Sequence, residues 1–200
     1  MSNEIIRNVE RTEIARPVFV LLLGPSGAGK SSIIRNLTSE DERFKFVSPI
    51  TDRPLRPGET EKISVSHDAF SELENSKFFL VVNKIYNNRY GTPRSTIDDI
   101  LKDGNIPILD FPMDKLGELE EYKDILFKVY ITPPTLGTLK RRLEIDGRSE
   151  GNTRYEEARS ELLTLVKAHF AHPDIDNVVI NRNLEIASAE LLELVYNRIS

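Results

Sequence analysis

The chain has 200 residues, of which 39% are hydrophobic and 30% are charged, and its formal net charge is −5. This length suits one α/β domain with smaller inserted lobes, and the negative charge argues against non-specific nucleic-acid binding as the main activity. The absence of cysteine excludes disulfides and thiolate metal sites, and no apolar run approaches the ~18–20 residues that a membrane span needs.

The first segment, residues 1–15, mixes Glu with Arg and has no apolar core. We expect a loosely attached leader that is neither a secretory nor a transit peptide, and therefore a cytoplasmic protein. The apolar run at 17–23 then predicts a buried strand, and Ile33, Ile34 and Leu37 are spaced to give the following helix an apolar face.

Residues 24–31 lie between that strand and that helix and have the G-x-x-x-x-G-K-S pattern of a phosphate-binding loop. Its glycines let backbone N–H groups converge on phosphate oxygens, and the positive end of the helix dipole adds to them. Lys30 would reach the β- and γ-phosphates, and the Ser31 hydroxyl would ligate Mg²⁺. A glycine-rich turn that binds nothing is the alternative, but the pattern in this context favours a nucleotide-dependent phosphotransferase or hydrolase. The residues predicted to hold the nucleotide phosphates are Gly24, Ser26, Gly27, Gly29, Lys30, Ser31 and Ser32.

The remaining elements alternate between strands and helices. Residues 49–66 are rich in Pro, Arg, Ser and Thr without an apolar period, which predicts a loop or lobe, and Ser95 is the expected N-cap of one helix. The alternation predicts a three-layer α/β domain with a mostly parallel central sheet. The further strands are predicted at 44–48, 78–82, 106–110, 125–131 and 177–180, and the further helices at 67–75, 96–102, 134–144, 154–170 and 184–199.

Arginines are concentrated in two groups. Arg53 and Arg56 lie in a Pro- and Gly-rich segment where no helix face explains them. A phosphoryl-transfer site needs one cationic group for the acceptor's anion and another for the phosphoryl in transit, and arginine pairs bidentately with phosphate. The alternative is that these arginines are solvated or ion-paired. The second group comprises Arg141, Arg142, Arg148, Arg154 and Arg159.

Taken in order, these motifs resemble the guanylate kinase family over roughly residues 17–197. The resemblance implies a P-loop kinase fold and a reversible transfer of the ATP γ-phosphoryl, with Mg²⁺, to a nucleoside monophosphate. The partners would then be ATP and a phosphorylated small molecule, with the chain a monomer or homodimer that engages neither nucleic acid nor membrane. The matching pieces are the GPSGAGKSS loop, T-x-R-x-x-R-P-G-E at 51–59, Y-G-T at 90–92, ILD at 108–110, ITPP at 131–134, RRLE at 141–144 and V-I-N at 179–181.

The resemblance also implies roles for individual residues. Lys30 would be catalytic together with Arg148 and Arg159, which would close over the transferring group, and Asn181 would lie near the adenine. The residues implied to bind the acceptor are Arg53, Arg56, Glu59, Tyr90, Thr92 and Asp110. The implied organisation is a core of 16–48, 93–145 and 155–200, an acceptor-binding lobe at 49–92 and a small lid at 146–154.

The sequence departs from the family at the positions that would read guanine. Pro49, Val81 and Pro112 stand where the family has polar groups, and Lys62 is the nearest equivalent of a missing tyrosine. Thr92 is the best surviving polar base reader. The residues implied to bind the acceptor phosphate are present, whereas most of those that would hydrogen-bond guanine are not. We therefore favour an acceptor other than GMP.

Three readings of the acceptor site therefore stay open. The segment 61–66 is similar to that of ribose 1,5-bisphosphate kinases, which phosphorylate a sugar phosphate. A divergent guanylate kinase, holding its base through Asn83, Lys84 or Asp110, is the alternative. A non-catalytic binding module of guanylate-kinase-like type is the third, although the intact phosphate loop argues for catalysis.

Overall fold

The computed structural model of the chain describes residues 14–55, 59, 62–85, 87–147, 151–168 and 171–200, with the backbone alone at 151 and 152. The predictions for Arg56 and Arg148, and for most of the leader, lie outside these residues. The elements in chain order are β1 (Phe19–Leu23), α1 (Lys30–Glu40), β2 (Phe44–Phe46), β3 (Ile50–Thr51), β4 (Ile63–Ser64), α2 (His67–Asn75), β5 (Phe79–Ile85), β6 (Asn88–Pro93), α3 (Arg94–Lys102), β7 (Ile106–Asp110), a 3₁₀ segment (Met113–Tyr122), β8 (Leu126–Thr132), α4 (Leu136–Asp146), α5 (Gly151–Lys167), β9 (Asn177–Ile180) and α6 (Leu184–Ile199).

The central sheet has five strands in the order β2-β7-β1-β8-β9. Every neighbouring pair in it is parallel. All five residues of β1 are buried, because this strand lies in the middle of the sheet and is covered on both faces. The carboxyl ends of β1, β7 and β8 consequently meet at one edge, from which the phosphate loop leaves β1.

The two faces of the sheet carry separate apolar cores. Val20 and Leu22 pack with residues of α1 and α6, whereas Phe19, Leu21 and Leu23 pack on the other side with residues of α3, α4 and α5. This strict alternation follows from the two-residue period of a strand. The three-layer α/β prediction is therefore confirmed.

A second, four-stranded sheet of order β4-β3-β6-β5 forms a lobe together with α2. The sequence predicted no strand at 88–93, and no regular element at 49–66, where two short strands lie. The residues of β6 have no apolar alternation, and their extended backbone is fixed by antiparallel pairing with β5. A strand of this kind cannot be predicted from its own residues, because its conformation depends on the strand with which it pairs.

Helix ends follow the local chemistry in most cases. The side chains of Ser66, Thr135 and Asn183 each accept a hydrogen bond from a backbone N–H of the first turn of α2, α4 and α6. The prediction that Ser95 caps α3 is wrong, because that helix begins at Arg94 directly after the extended Pro93. Among the described residues, no helix is both long and apolar enough to cross a membrane.

Candidate active site

The phosphate loop has a backbone that only glycine adopts without strain. Gly24 and Gly29 have φ angles of +121° and +98°. A Cβ on Gly24 would lie 2.2 Å from the Ile131 carbonyl oxygen, and one on Gly29 would lie 2.3 Å from the Asn181 amide nitrogen. Both contacts are shorter than any real Cβ contact, so these glycines let the loop pass directly over the ends of the sheet strands.

Lys30 is the first residue of α1 and folds back over the loop. Its ammonium donates to the Gly24 carbonyl oxygen at 2.6 Å and to the Pro25 carbonyl oxygen at 3.1 Å. Burial lowers the pKa of Lys30, while the carboxylates of Asp110 and Glu161 act in the opposite direction. The Lys30 ammonium is thus bound by two backbone carbonyl oxygens of the loop. Phosphate oxygens are charged and would be stronger acceptors for it.

Asn181 and Arg142 both bind the backbone of the phosphate loop at Ala28. The buried Asn181 amide donates to the Ala28 carbonyl oxygen at 2.8 Å, and the Arg142 guanidinium donates to the same oxygen at 3.2 Å. Arg142 also donates to the Asn181 carbonyl oxygen at 2.9 Å. The side chain of Asn181, predicted to lie near the adenine, is therefore committed to the backbone of the loop.

A cavity of about 450 Å³ lies between α4 and Arg182. Its lining combines aliphatic surface with guanidinium groups, which suits a flat heteroaromatic ring that carries polar edges. The cavity adjoins the loop through Arg142, whose guanidinium donates to the Ala28 carbonyl oxygen. Its lining residues are Pro134, Gly137, Thr138, Arg141, Arg142, Ile145 and Arg182.

Arg154, on α5, is a second arginine that reaches the phosphate loop, through the Ser26 side chain. Its side chain is buried, contacts the Ser26 hydroxyl and pairs with the Asp146 carboxylate at 3.1 Å. From the sequence, Arg154 was one member of the second arginine group and had no predicted role. The available signal was the helical spacing, which puts Arg154 on one face with the buried residues Ala158 and Leu162.

Arg159 lies on another face of α5. Its side chain is 46% exposed and pairs with Glu156 at 3.3 Å. The same helix therefore presents one arginine to the loop and another to solvent.

Glu161 is a carboxylate near the loop that sequence reasoning missed. It accepts a hydrogen bond at 2.7 Å from the hydroxyl of Tyr130, whose side chain is fully buried on β8. Burial raises the pKa of Glu161, although the Tyr130 hydrogen bond and the Lys30 charge oppose this shift. Helix positions that pack against a buried strand are usually apolar, so a carboxylate at this one is a candidate functional group.

Arg53 lies at the centre of a polar cluster in the lobe. Its guanidinium pairs with both oxygens of Glu59, at 2.6 and 2.8 Å, and donates to the Tyr90 hydroxyl at 2.8 Å. Lys62 reaches the same Glu59 carboxylate at 3.0 Å. Three of the predicted acceptor-binding residues thus form one hydrogen-bonded unit, with Lys62 added to it.

Thr92 and Val81 face each other across the lobe strands. They are paired in register between β6 and β5, and both are buried. Val81 packs in the apolar cluster with Leu80 and Phe111. Asp110 ends β7 and raises the pKa of Lys30, so its carboxylate lies on the loop side of this region.

Comparison with known proteins gives a consistent set of similarities. A family model described as Guanylate kinase matches residues 15–198. The chain is 32% identical over 179 residues to the guanylate kinase of Sulfurimonas denitrificans, covering 86% of this chain and 84% of that protein. It is 30% identical over 192 residues to the guanylate kinase of a Synechococcus species, covering 93% and 85%.

The fold is also similar to a solved structure. The crystal structure of guanylate kinase from Anaplasma phagocytophilum matches with a TM-score of 0.71 at 20% sequence identity. The match covers 92% of this chain and 87% of that one. At this identity the similarity bears on the fold alone.

Proposed function

The chain belongs to the guanylate kinase family and is a P-loop kinase, and from that premise we propose that it transfers the γ-phosphoryl of Mg-ATP to a phosphorylated small molecule other than ordinary GMP. The observation that carries the proposal is the contrast within the lobe. Arg53, Glu59 and Tyr90 form one connected hydrogen-bonded unit, whereas Val81 is an apolar residue buried in the core.

The contrast matters because guanine carries N–H donors that need acceptors. Val81 has no side-chain acceptor, and Pro49 and Pro112 have none either. An unpaired donor that becomes buried on binding costs about 1–3 kcal/mol. A base-bearing acceptor therefore gains little here beyond its phosphate, and a sugar phosphate avoids the penalty altogether.

The donor side of the reaction rests on Lys30 and the loop amides. The Lys30 ammonium would leave the Gly24 and Pro25 carbonyls and bind the β- and γ-phosphate oxygens, since charged acceptors give the stronger hydrogen bonds. Arg154, which contacts Ser26, would neutralise charge that develops on the transferring phosphoryl. Arg53 would orient the acceptor's own phosphate, so that its hydroxyl lies in line.

The oxygen donors around the loop fit Mg²⁺, which keeps several waters and binds few protein ligands. Ser31, in the first turn of α1, would hold the ion, with phosphate oxygens and water supplying the other ligands. Asp110, at the end of β7, would orient those waters or the acceptor hydroxyl. When bound, Mg²⁺ supplies charge neutralisation at the β- and γ-phosphates.

Lys62 gives the lobe a cation besides Arg53, and both pair with the single carboxylate of Glu59. These three groups carry one net positive charge, which an anionic group of the acceptor can match. In a sugar bisphosphate, the phosphate that Arg53 does not bind would be available to Lys62. Ribose 1,5-bisphosphate is such a molecule and is therefore our first candidate.

A divergent guanylate kinase is the second candidate function. It is favoured by the 30–32% identity to proteins named guanylate kinase. Thr92 is buried beside Val81 and would then be the polar group that contacts the base. Under this alternative, GMP is used in preference to sugar phosphates.

The proposal is tested by ADP release from Mg-ATP in the presence of paired acceptors. Each phosphorylated acceptor is compared with its dephosphorylated counterpart, and ribose 1,5-bisphosphate is compared with ribose 5-phosphate. We expect ADP release to depend on an acceptor phosphate and to be greatest with two phosphates. Lys30→Ala, which removes the loop cation, serves as the inactive control, while Lys45→Ala removes an exposed lysine on β2, the edge strand of the central sheet. ADP release that is equal with and without an acceptor phosphate would contradict the proposal.

A further inference from the structure

A row of polar side chains crosses the lobe sheet at the level of Tyr90. Tyr90 pairs in register with Thr51 of β3 on one side and with Asn83 of β5 on the other. Thr51 pairs in turn with Ser64 of β4. Side chains of residues paired in this way point to the same face of a sheet. The row therefore contains one polar side chain from each of the four strands, on one face of the lobe.

Three members of this row bind Arg53. The Ser64 hydroxyl donates to the Arg53 carbonyl oxygen at 2.7 Å, and the Thr51 hydroxyl oxygen accepts from the Arg53 backbone N–H at 3.4 Å. The Tyr90 hydroxyl accepts from the Arg53 guanidinium at 2.8 Å. The row thus fixes both the backbone and the side chain of the arginine that would orient the acceptor's phosphate.

Asn83, the fourth member, takes no part in holding Arg53. Its side chain is half-buried, and its carboxamide makes no hydrogen bond to any part of the chain that the structure describes. On its own strand it lies between Val81 and Ile85, whose aliphatic side chains share its face. A carboxamide has two N–H donors and an acceptor oxygen. These groups of Asn83 are therefore available to a bound molecule, next to Tyr90 and the arginine that Tyr90 binds.

We propose that Asn83 is a specificity-determining residue of the acceptor site, and that its carboxamide hydrogen-bonds a sugar hydroxyl next to the phosphate that Arg53 holds. The inference rests on the proposed function and names the part of the acceptor that is recognised. A hydroxyl both donates and accepts, so either end of the carboxamide can pair with it. The Cβ atoms of opposed residues such as Asn83 and Tyr90 are about 5 Å apart, so the hydroxyl has to be close to the phosphate.

The chemistry of a pentose bisphosphate then selects one hydroxyl. In ribose 1,5-bisphosphate the carbon next to C1 carries the 2-hydroxyl, whereas the carbon next to C5 carries the ring oxygen. A hydroxyl adjacent to the held phosphate therefore exists only if Arg53 holds the C1 phosphate, and it is then the 2-hydroxyl. GMP carries its phosphate on C5 and has no hydroxyl on the neighbouring carbon, so Asn83 should matter little for its use.

The test measures kcat/KM with Mg-ATP for ribose 1,5-bisphosphate and for its 2-deoxy analogue, in the wild type and in Asn83→Ala. In the wild type, removal of the 2-hydroxyl should lower kcat/KM by about 3–10-fold, the range expected for one neutral hydrogen bond. Asn83→Ala should lower kcat/KM for ribose 1,5-bisphosphate by a similar factor. It should use the two acceptors almost equally, because the two deletions remove the same hydrogen bond. Asn87→Ala, at an exposed asparagine in the turn before β6, is the matched control and should discriminate as the wild type does.

Asn83→Asp provides a second variant of the same shape. It keeps an acceptor oxygen but places a negative charge beside the acceptor phosphate. It should therefore raise the acceptor KM more than Asn83→Ala does and leave the KM for ATP unchanged.

A 2-hydroxyl effect of equal size in the wild type and in Asn83→Ala would overturn the inference and leave the proposed function standing. Loss of GMP use in Asn83→Ala, without loss of sugar bisphosphate use, would overturn it as well, since Asn83 would then contact the base. Failure of the wild type to use any sugar phosphate would instead overturn the proposed acceptor class, and this inference with it.

Discussion

The amide of Asn181 donates to the carbonyl oxygen of Ala28 at 2.8 Å, which ties the end of β9 to the middle of the phosphate loop. The bond spans 153 positions of sequence and is buried. It therefore couples the shape of the loop to the last strand of the central sheet. The loop's geometry belongs to the whole domain as well as to its glycines.

Substituting Asn181 with Asp tests that coupling. A carboxylate cannot donate to the Ala28 carbonyl, and a charge would be buried against an acceptor. We expect a higher KM for ATP and a free energy of unfolding lower by about 1–3 kcal/mol. Steady-state kinetics and chemical denaturation measure the two effects. Wild-type values for both would show that Arg142 alone is enough to hold the loop.

Arg154 and Arg159 provide a matched pair on one helix. Arg154 contacts the loop, whereas Arg159 is half-exposed and pairs with Glu156. Arg154→Ala should lower kcat by about 10²–10³-fold, because it removes a donor that acts on charge developing in transit. The effect of Arg159→Ala should be much smaller. A larger kcat loss in Arg159→Ala would return the catalytic role to the residue that the sequence resemblance indicated.

Arg53 is expected to act on the acceptor alone. Arg53→Ala should raise the acceptor KM or lower kcat and leave the KM for ATP nearly unchanged, because its partners Glu59 and Tyr90 belong to the lobe. Arg53→Lys keeps the charge but loses the two-oxygen pairing with Glu59, so it should be intermediate. If Arg53→Ala raised the KM for ATP as much as the KM for the acceptor, Arg53 would be needed for the folding of the lobe and not for acceptor binding alone.

Asp52 gives the lobe a pH-dependent stability. Burial favours its neutral form, but hydrogen bonds from the Arg89 backbone and guanidinium, at 2.7 Å each, lower its pKa below the ordinary 3.8. Because the folded-state pKa is the lower one, the contribution is complete above pH ~4 and is lost as the pH falls through the folded-state value. Arg89 in turn lies 4.5 Å from the Phe70 ring centre, which joins the pair to the lobe's apolar core.

Asp52→Asn should therefore lower the free energy of unfolding at pH 7 by about 1.5–3 kcal/mol, since it removes one of the two carboxylates that pair with Arg89, the other being that of Glu74. The deficit should shrink in acid, because the wild-type contribution is lost as the pH falls through the lowered folded-state pKa of Asp52. Urea denaturation at pH 7 and pH 3 measures both. Glu72→Gln, an exposed acid on α2, is the control, and a deficit that does not change with pH would refute the electrostatic explanation.

The parts of the site that could be predicted from sequence are those with a local signature. The glycines, Lys30 and Ser31 lie within residues 24–31, and a buried strand precedes them, so loop and sheet edge follow from one short segment. Arg53 and Tyr90 required the family resemblance, because 37 positions separate them and only the pairing of β3 with β6 brings them together.

Other features depended on contacts that no local pattern encodes. In the sequence, Glu161 is one of several charged residues on a polar helix. Its hydrogen bond with Tyr130 of β8 exists only in the folded chain. The extended backbone of β6 depends on β5 in the same way. In both cases the deciding partner comes from a distant part of the chain.

The choice of acceptor is the central claim, and kcat/KM for GMP and ribose 1,5-bisphosphate, measured side by side with AMP and a pyrimidine monophosphate, tests it most directly. We predict that ribose 1,5-bisphosphate is the better acceptor and that GMP is poorly distinguished from the other nucleotides, since Val81 offers guanine no acceptor. A GMP preference of about a hundredfold or more, equivalent to about 2.7 kcal/mol, would contradict the account and establish a divergent guanylate kinase.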